Sequence, residues 1–114
     1  MAPENNSAQM RKGVLELCIL ASLDRAPSYV PDLIADFQRS GLSVVEGTLY
    51  PLLTRLKNAE LLTYQWEESR SGPPRKYYRL TDEGRRALEE HRQSWDELVQ
   101  AVHLILNPQS RSAQ

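Results

Sequence analysis

Gly72-Pro73-Pro74-Arg75-Lys76-Tyr77-Tyr78-Arg79-Leu80-Thr81 joins a stiff turn, a cationic patch and a β-strand within one short run. Between positions 69 and 79 there are four positive side chains, Arg70, Arg75, Lys76 and Arg79, and no negative one, although the formal charge of the 114-residue chain is -1. Positive charge gathered in this way attracts a phosphate backbone whatever the net charge. Just upstream, Leu62, Tyr64 and Trp66 alternate with Thr63 and Gln65, and residues 76–80 are again rich in strand-forming side chains. The pattern predicts a two-stranded hairpin. Residues 67–75 between the strands are too many for a two-residue turn and predict a projecting loop stiffened by Pro73-Pro74.

Helical periodicity surrounds this hairpin. Residues 10–23 are apolar almost all round (Val14, Leu15, Leu17, Cys18, Ile19, Leu20, Leu23), so that helix needs cover on two sides. A second helix opens at Ser28 or Tyr29, tolerates Pro31 in its first turn and carries Val30, Leu33, Ile34 and Phe37 on one face. Gly41 ends it, where a left-handed backbone is usual. From about residue 45 to 58, Leu49, Leu52, Leu53 and Leu56 form one stripe, with Gly47, Pro51, Thr54 and Asn58 opposite. Ser43 and Glu46 have capping-box spacing. Pro51 predicts an irregular first turn, since it removes a donor and crowds the carbonyl of Gly47. Thr81 is a good N-cap, with Asp82 and Glu83 behind it, for a last helix reaching residue 107.

Helix, helix, turn, helix and hairpin is the order of a winged helix-turn-helix, a mainly α fold whose third helix enters the major groove. The run Glu46-Gly47-Thr48-Leu49-Tyr50-Pro51-Leu52-Leu53-Thr54-Arg55-Leu56, then Leu61-Leu62, then residues 72–81 with Gly84, resembles the PadR family of transcriptional regulators. The resemblance covers about residues 10–105 and is to the short kind, with a single C-terminal dimerisation helix. It implies a dimeric bacterial repressor on a palindromic operator, released in many members by a small aromatic or lipophilic compound. Two departures stand out. Many members read Tyr-Gly-Tyr-Glu where this chain has Tyr29-Val30-Pro31-Asp32, and a frequent Glu after the Arg-Leu pair is Lys57 here.

The expected organisation is a disordered tail over 1–9, a winged helix-turn-helix DNA-binding domain over 10–81, a dimerisation helix over 82–107 and a disordered tail over 108–114. Candidate DNA-binding residues are Arg11, Lys12, Ser28, Tyr29, Gly47, Thr48, Tyr50, Pro51, Arg55, Arg70, Arg75 and Lys76. For Tyr50 the bland alternative is packing beside the leucines; for Arg75 and Lys76 it is a solvated charge run. Thr48 can meet either a phosphate or a base. Leu88, Trp95, Leu98, Val99, Val102, Ile105 and Leu106 fall at helical spacings on a face with no partner within the chain, and a second copy would cover it. By the resemblance, Trp95 faces its symmetry mate. Two indoles with Leu98, Val99 and first-helix residues Leu15 and Cys18 would form a flat slot for a planar effector, or only a packed dimer core.

Other classes find little support. With 40% hydrophobic residues the chain supports one compact domain. The acidic excess lies C-terminally: residues 1–80 hold ten Lys/Arg against nine Asp/Glu, residues 81–114 four against six. Cys18 is the single cysteine, which excludes an intrachain disulfide and suits a reducing cytoplasm. No apolar run is long enough to span a membrane, and no signal-peptide core precedes the first helix, so a soluble cytoplasmic protein is expected. His91 and His103 lack a metal-ligand pattern and read as surface or interface residues. No catalytic set emerges, and no cofactor is implied. The competing reading is a winged-helix protein-interaction module without DNA affinity.

Overall fold

The computed structural model describes residues 10, 11 and 13–109. Four helices and a hairpin follow in order: α1 Leu15–Arg25, α2 Val30–Arg39, α3 Glu46–Asn58, β1 Leu62–Ser69, β2 Gly72–Leu80 and α4 Asp82–Leu106. The expected tails over 1–9 and most of 108–114, and the candidate Lys12, lie outside the described residues.

The apolar spacings set the core. Ile19, Leu20 and Leu23 from α1 meet Val30, Leu33 and Phe37 from α2 and Leu49, Leu53 and Leu56 from α3; Leu62, Tyr78 and Leu80 of the hairpin and Leu88 of α4 close it. Each such large side chain, once buried, contributes roughly 1.5–3 kcal/mol before the entropy of ordering it. Leu52 of the α3 stripe is only half-buried.

Helix ends are fixed by local chemistry. Gly41 has φ +91° and closes α2: its N–H donates to the Gln38 carbonyl, and the Leu42 N–H reaches back to Phe37. This is a Schellman closure, for which the left-handed residue suits glycine. The same pair of bonds ends α3, from Glu60 to Lys57 and from Leu61 to Leu56, but there the left-handed residue is Glu60, at φ +66°. Thr81 caps α4 by accepting from the Gly84 N–H at 2.9 Å, and its hydroxyl lies 2.8 and 3.0 Å from the carbonyls of Glu60 and Leu61. The Thr81 N–H also donates to Leu61. One threonine thus ties the end of the third helix to the start of the fourth.

Four local expectations are corrected. The first helix is not continuous from residue 10: Gly13 and Val14 form a turn, with the Val14 N–H on the Arg11 carbonyl, and α1 starts at Leu15. A glycine is a weak helix residue, and here the phase of the helix is reset at it. Ser43 is not the cap of α3, whose N-cap is Val45 with no side-chain bond. The hairpin has no long loop either. Ser69 pairs with Gly72 across Arg70 and Ser71 alone, and Pro73-Pro74 lie within β2. The register runs Glu67↔Arg75 and Ser69↔Gly72, so both prolines face Glu68 alone, in a bulge. Without N–H groups they fit an irregular stretch of a two-stranded ribbon, where every strand is an edge. Helix α3 continues unbroken through Pro51.

Candidate nucleic-acid interface

Helix α3 buries Leu49, Leu53 and Leu56 and turns Gly47, Thr48, Tyr50, Pro51, Thr54 and Arg55 outward. This face is what a winged helix presents to DNA. A Cβ built on Gly47 would meet nothing within 4 Å, so this stretch of helix is open to an approaching partner. Arg55 forms an ion pair with Glu16 of α1, although its side chain stays 65% exposed. At the other end of the same face, Arg11 donates to the Ser43 carbonyl at 2.7 Å and borders a shallow hollow with Gln38 and Thr48. Arg11 therefore braces the turn between α2 and α3.

The wing is attached to α2 by backbone. Ser28 and Tyr78 exchange both backbone hydrogen bonds, at 3.0 and 2.8 Å, which adds a one-residue lane beside β2. Tyr29 follows in extended conformation as the N-cap of α2 and lies against the wing: the Arg75 guanidinium is 4.8 Å from its ring centre, and the Tyr77 ring is 5.8 Å away. On the opposite face of the ribbon, Lys76 stands 4.0 Å over Tyr64, 5.3 Å from Tyr78 and 5.8 Å from Trp66. Strand alternation separates the two cations, and each is steadied by an aromatic face.

Tyr29, Tyr50, Trp66, Pro73, Arg75 and Lys76 share the walls of one cleft of ≈ 560 Å³ between α2, α3 and the wing. The residues from Tyr29 and Tyr50 to the wing cations, predicted separately, are thus brought together; Arg70 lies beyond them on the exposed turn. Sequence reasoning had given Trp66 only a strand role, and the signal available was its place in register with Lys76. Among the described residues, Arg25, Arg39, Arg55, Arg85 and Arg86 have carboxylate partners; no ion pair involves any of the four wing cations, Arg70, Arg75, Lys76 and Arg79, nor Arg11, Lys57 and Arg92 elsewhere.

A second surface lies at the far side. Trp95, Leu98, Val99, Val102, Ile105 and Leu106 are all exposed, Ile105 and Leu106 by 68% and 73%. All of these but Ile105, with Met10 and Val14, border an open apolar slot of ≈ 620 Å³ edged by Arg11 and His103, and a neighbouring hollow adds Leu17 and His91. Three candidates are misplaced on this side. Leu88 belongs to the domain's own core, 1% exposed, and leaves the exposed stripe to begin at Trp95. Leu15 is buried and borders the hollow beside Thr48, not the Trp95 slot. Cys18 is half-buried against the core. From this side of the chain Val14 borders the slot instead, and Leu17 the neighbouring hollow. Burial raises the Cys18 thiol pKa above its ordinary value.

Among the described residues no group of three or more His, Cys, Asp or Glu could hold a metal ion, and no helix is long and apolar enough to cross a membrane.

Comparison with known proteins agrees with this geometry. The sequence profile of the transcriptional regulator PadR-like family matches residues 19–90. The chain is 40% identical over 81 residues to the transcriptional regulator Rv3488 of Mycobacterium tuberculosis, covering 71% of this chain and 72% of that one. A solved PadR-like transcription factor from Bacteroides fragilis is 54% identical with a TM-score of 0.74, over 89% of this chain and 98% of that one. A PadR family regulator from Eggerthella lenta is 36% identical with a TM-score of 0.83, over 91% of each.

Proposed function

The chain belongs to the PadR-like family of transcriptional regulators, and from that premise we propose that it is a homodimeric repressor that grips a palindromic operator. The observation that carries the reading is that Tyr29, Tyr50, Arg75 and Lys76 border one cleft, a cation on each face of the ribbon, with no ion pair to either among the described residues. Thr48, Tyr50 and Pro51 on α3 meet the major groove; Arg70, Arg75 and Lys76 meet flanking backbone or a narrow minor groove. The exposed stripe from Trp95 to Leu106 supports a two-fold partner. Two-fold pairing puts the half-sites about one or two helical turns apart, roughly 10–21 base pairs between centres. Selection of bound duplexes from a random pool tests this: an inverted repeat should emerge. Flow-through of the protein on calf-thymus DNA at low salt would instead leave a protein-interaction module.

Control by a small aromatic or lipophilic effector belongs to the same reading and is supported by the apolar slot beside Trp95. Control requires that the ligand bind more tightly to the dimer shape whose reading heads miss the operator; affinity alone shifts nothing. In a Trp66→Phe background Trp95 becomes the sole indole, and titration of planar aromatics should quench it and lower operator affinity together. No quenching across a varied library would assign Trp95 to packing only, and quenching with operator affinity unchanged would leave the slot a binding site without control.

A further inference from the structure

The cleft between α2, α3 and the wing contains more than a duplex backbone needs. Phosphates are held by cations and N–H donors, and Arg75 and Lys76 are the cations. The same walls carry Tyr29, Tyr50, Trp66 and Tyr78 and no carboxylate. Trp66 is 60% exposed and Tyr50 44%, so two large rings face solvent beside unneutralised charge. Bases paired in a duplex present edges, not faces, to a protein on their grooves, and a phosphate has no use for an indole. An unpaired base offers the flat π surface that such rings stack on, and its phosphate needs a cation close by.

We infer that this cleft binds an unpaired nucleotide on the Lys76 face of the ribbon, with the base against the exposed Trp66 ring and the phosphate on Lys76. The Lys76 ammonium stands 5.8 Å from the Trp66 ring centre, within the span between a base and its own 5′-phosphate. The cleft volume of ≈ 560 Å³ falls within the usual range for small-ligand sites, about 300–1,000 Å³. The inference rests on reading this face as turned towards nucleic acid. It adds a consequence for control: a nucleotide in the cleft occupies one of the wing's own phosphate ligands and competes with the operator directly. The Trp95 slot has no part in this competition.

The test follows the Trp66 indole N–H resonance in the intact Trp95→Phe protein as adenosine 5′-monophosphate is added. A saturable shift is expected, with a half-point about tenfold lower than for adenosine, and about tenfold lower than for the same titration of Lys76→Gln. Ribose 5-phosphate should leave the resonance in place. Equal half-points for the nucleotide and adenosine, or no saturable shift, would overturn the inference. A short single-stranded oligothymidylate distinguishes the sources: about tenfold tighter binding than the mononucleotide assigns an unpaired strand, and equal binding assigns a free nucleotide. Duplex retention measured on the same sample separates the two readings. A nucleotide response without duplex binding upholds the cleft and sinks the repressor; duplex binding without a nucleotide response sinks the cleft alone.

Discussion

Gly84 shows how one missing side chain holds two helices and the hairpin together. A Cβ there would lie 2.2 Å from the Leu61 carbonyl oxygen and 2.6 Å from Leu80 Cδ1, and the first of these is backbone that cannot step aside. Ala is ordinarily the better helix residue by about 1 kcal/mol, but overpacking a rigid contact costs about 1–3 kcal/mol or more and decides the sign. Gly84→Ala should therefore lower the urea midpoint by an amount equivalent to about 2–3 kcal/mol. Glu60 predicts the reverse. Its left-handed φ of +66° costs a non-glycine residue about 1–2 kcal/mol, partly offset by the extra chain entropy of glycine. Glu60→Gly should gain about 0.5–1 kcal/mol in the same assay. Cys18 makes a third case, since its raised pKa leaves less thiolate at neutral pH than a free cysteine has. Alkylation should be slow until denaturant is added. Gly84 was visible in the sequence only through the family motif. Glu60 was not visible at all, because nothing in an Asn58-Ala59-Glu60-Leu61 run marks a left-handed residue.

At the scale of the element, the wing is where reading and structure diverge most usefully. The strands were legible from alternation, and the cations from composition. The length of the ribbon was not, because prolines are turn signals by default and only the pairing partner shows that two of them share a bulge opposite Glu68. The consequence is a wing with a two-residue tip and a long, twisted shaft, fixed at its base by the Ser28–Tyr78 exchange. Its cations are held in place, not floating on a loop. Replacing both Arg75 and Lys76 with Ala should weaken binding to all duplex sequences and flatten the dependence of log affinity on log salt by about 0.9 for each phosphate left without its cation. An unaltered slope would take the wing out of the interface. Helix α3 was legible from its leucines as about residues 45–58, against Glu46–Asn58 in the structure; only its cap was misread, because Ser43-to-Glu46 spacing mimics one that the backbone does not use.

On the scale of the whole molecule, the shape itself argues for a second copy. The radius of gyration is 17.0 Å, against about 13 Å for a compact chain of this length, and the longest dimension is 60 Å. The excess is α4, which has no buried residue after Leu88 among those described. Thr81 and Leu88 anchor its first turns, but the apolar stripe beyond them has no cover among the described residues, and a second copy would supply it. Val102→Glu, outside the domain core, should leave the unfolding transition of the winged domain in place while light scattering shows a monomer. Operator affinity should fall with it, since two half-sites would then be bound independently. The stripe was legible from its spacing, yet Leu88 lies in the domain core and not on it: helical periodicity does not say where a face stops serving the domain and the exposed stripe begins. The Thr81 joint adds a mechanical corollary. Helix α4 is about 37 Å long, so a tilt of about 5° swings its tip by about 3 Å, close to the rise of one base step at about 3.4 Å. Because the Thr81 hydroxyl and N–H bond the chain leaving α3, such a tilt would pull on that end of α3, and in the proposed dimer a slight skew between two such levers would put their far ends out of step with the double helix.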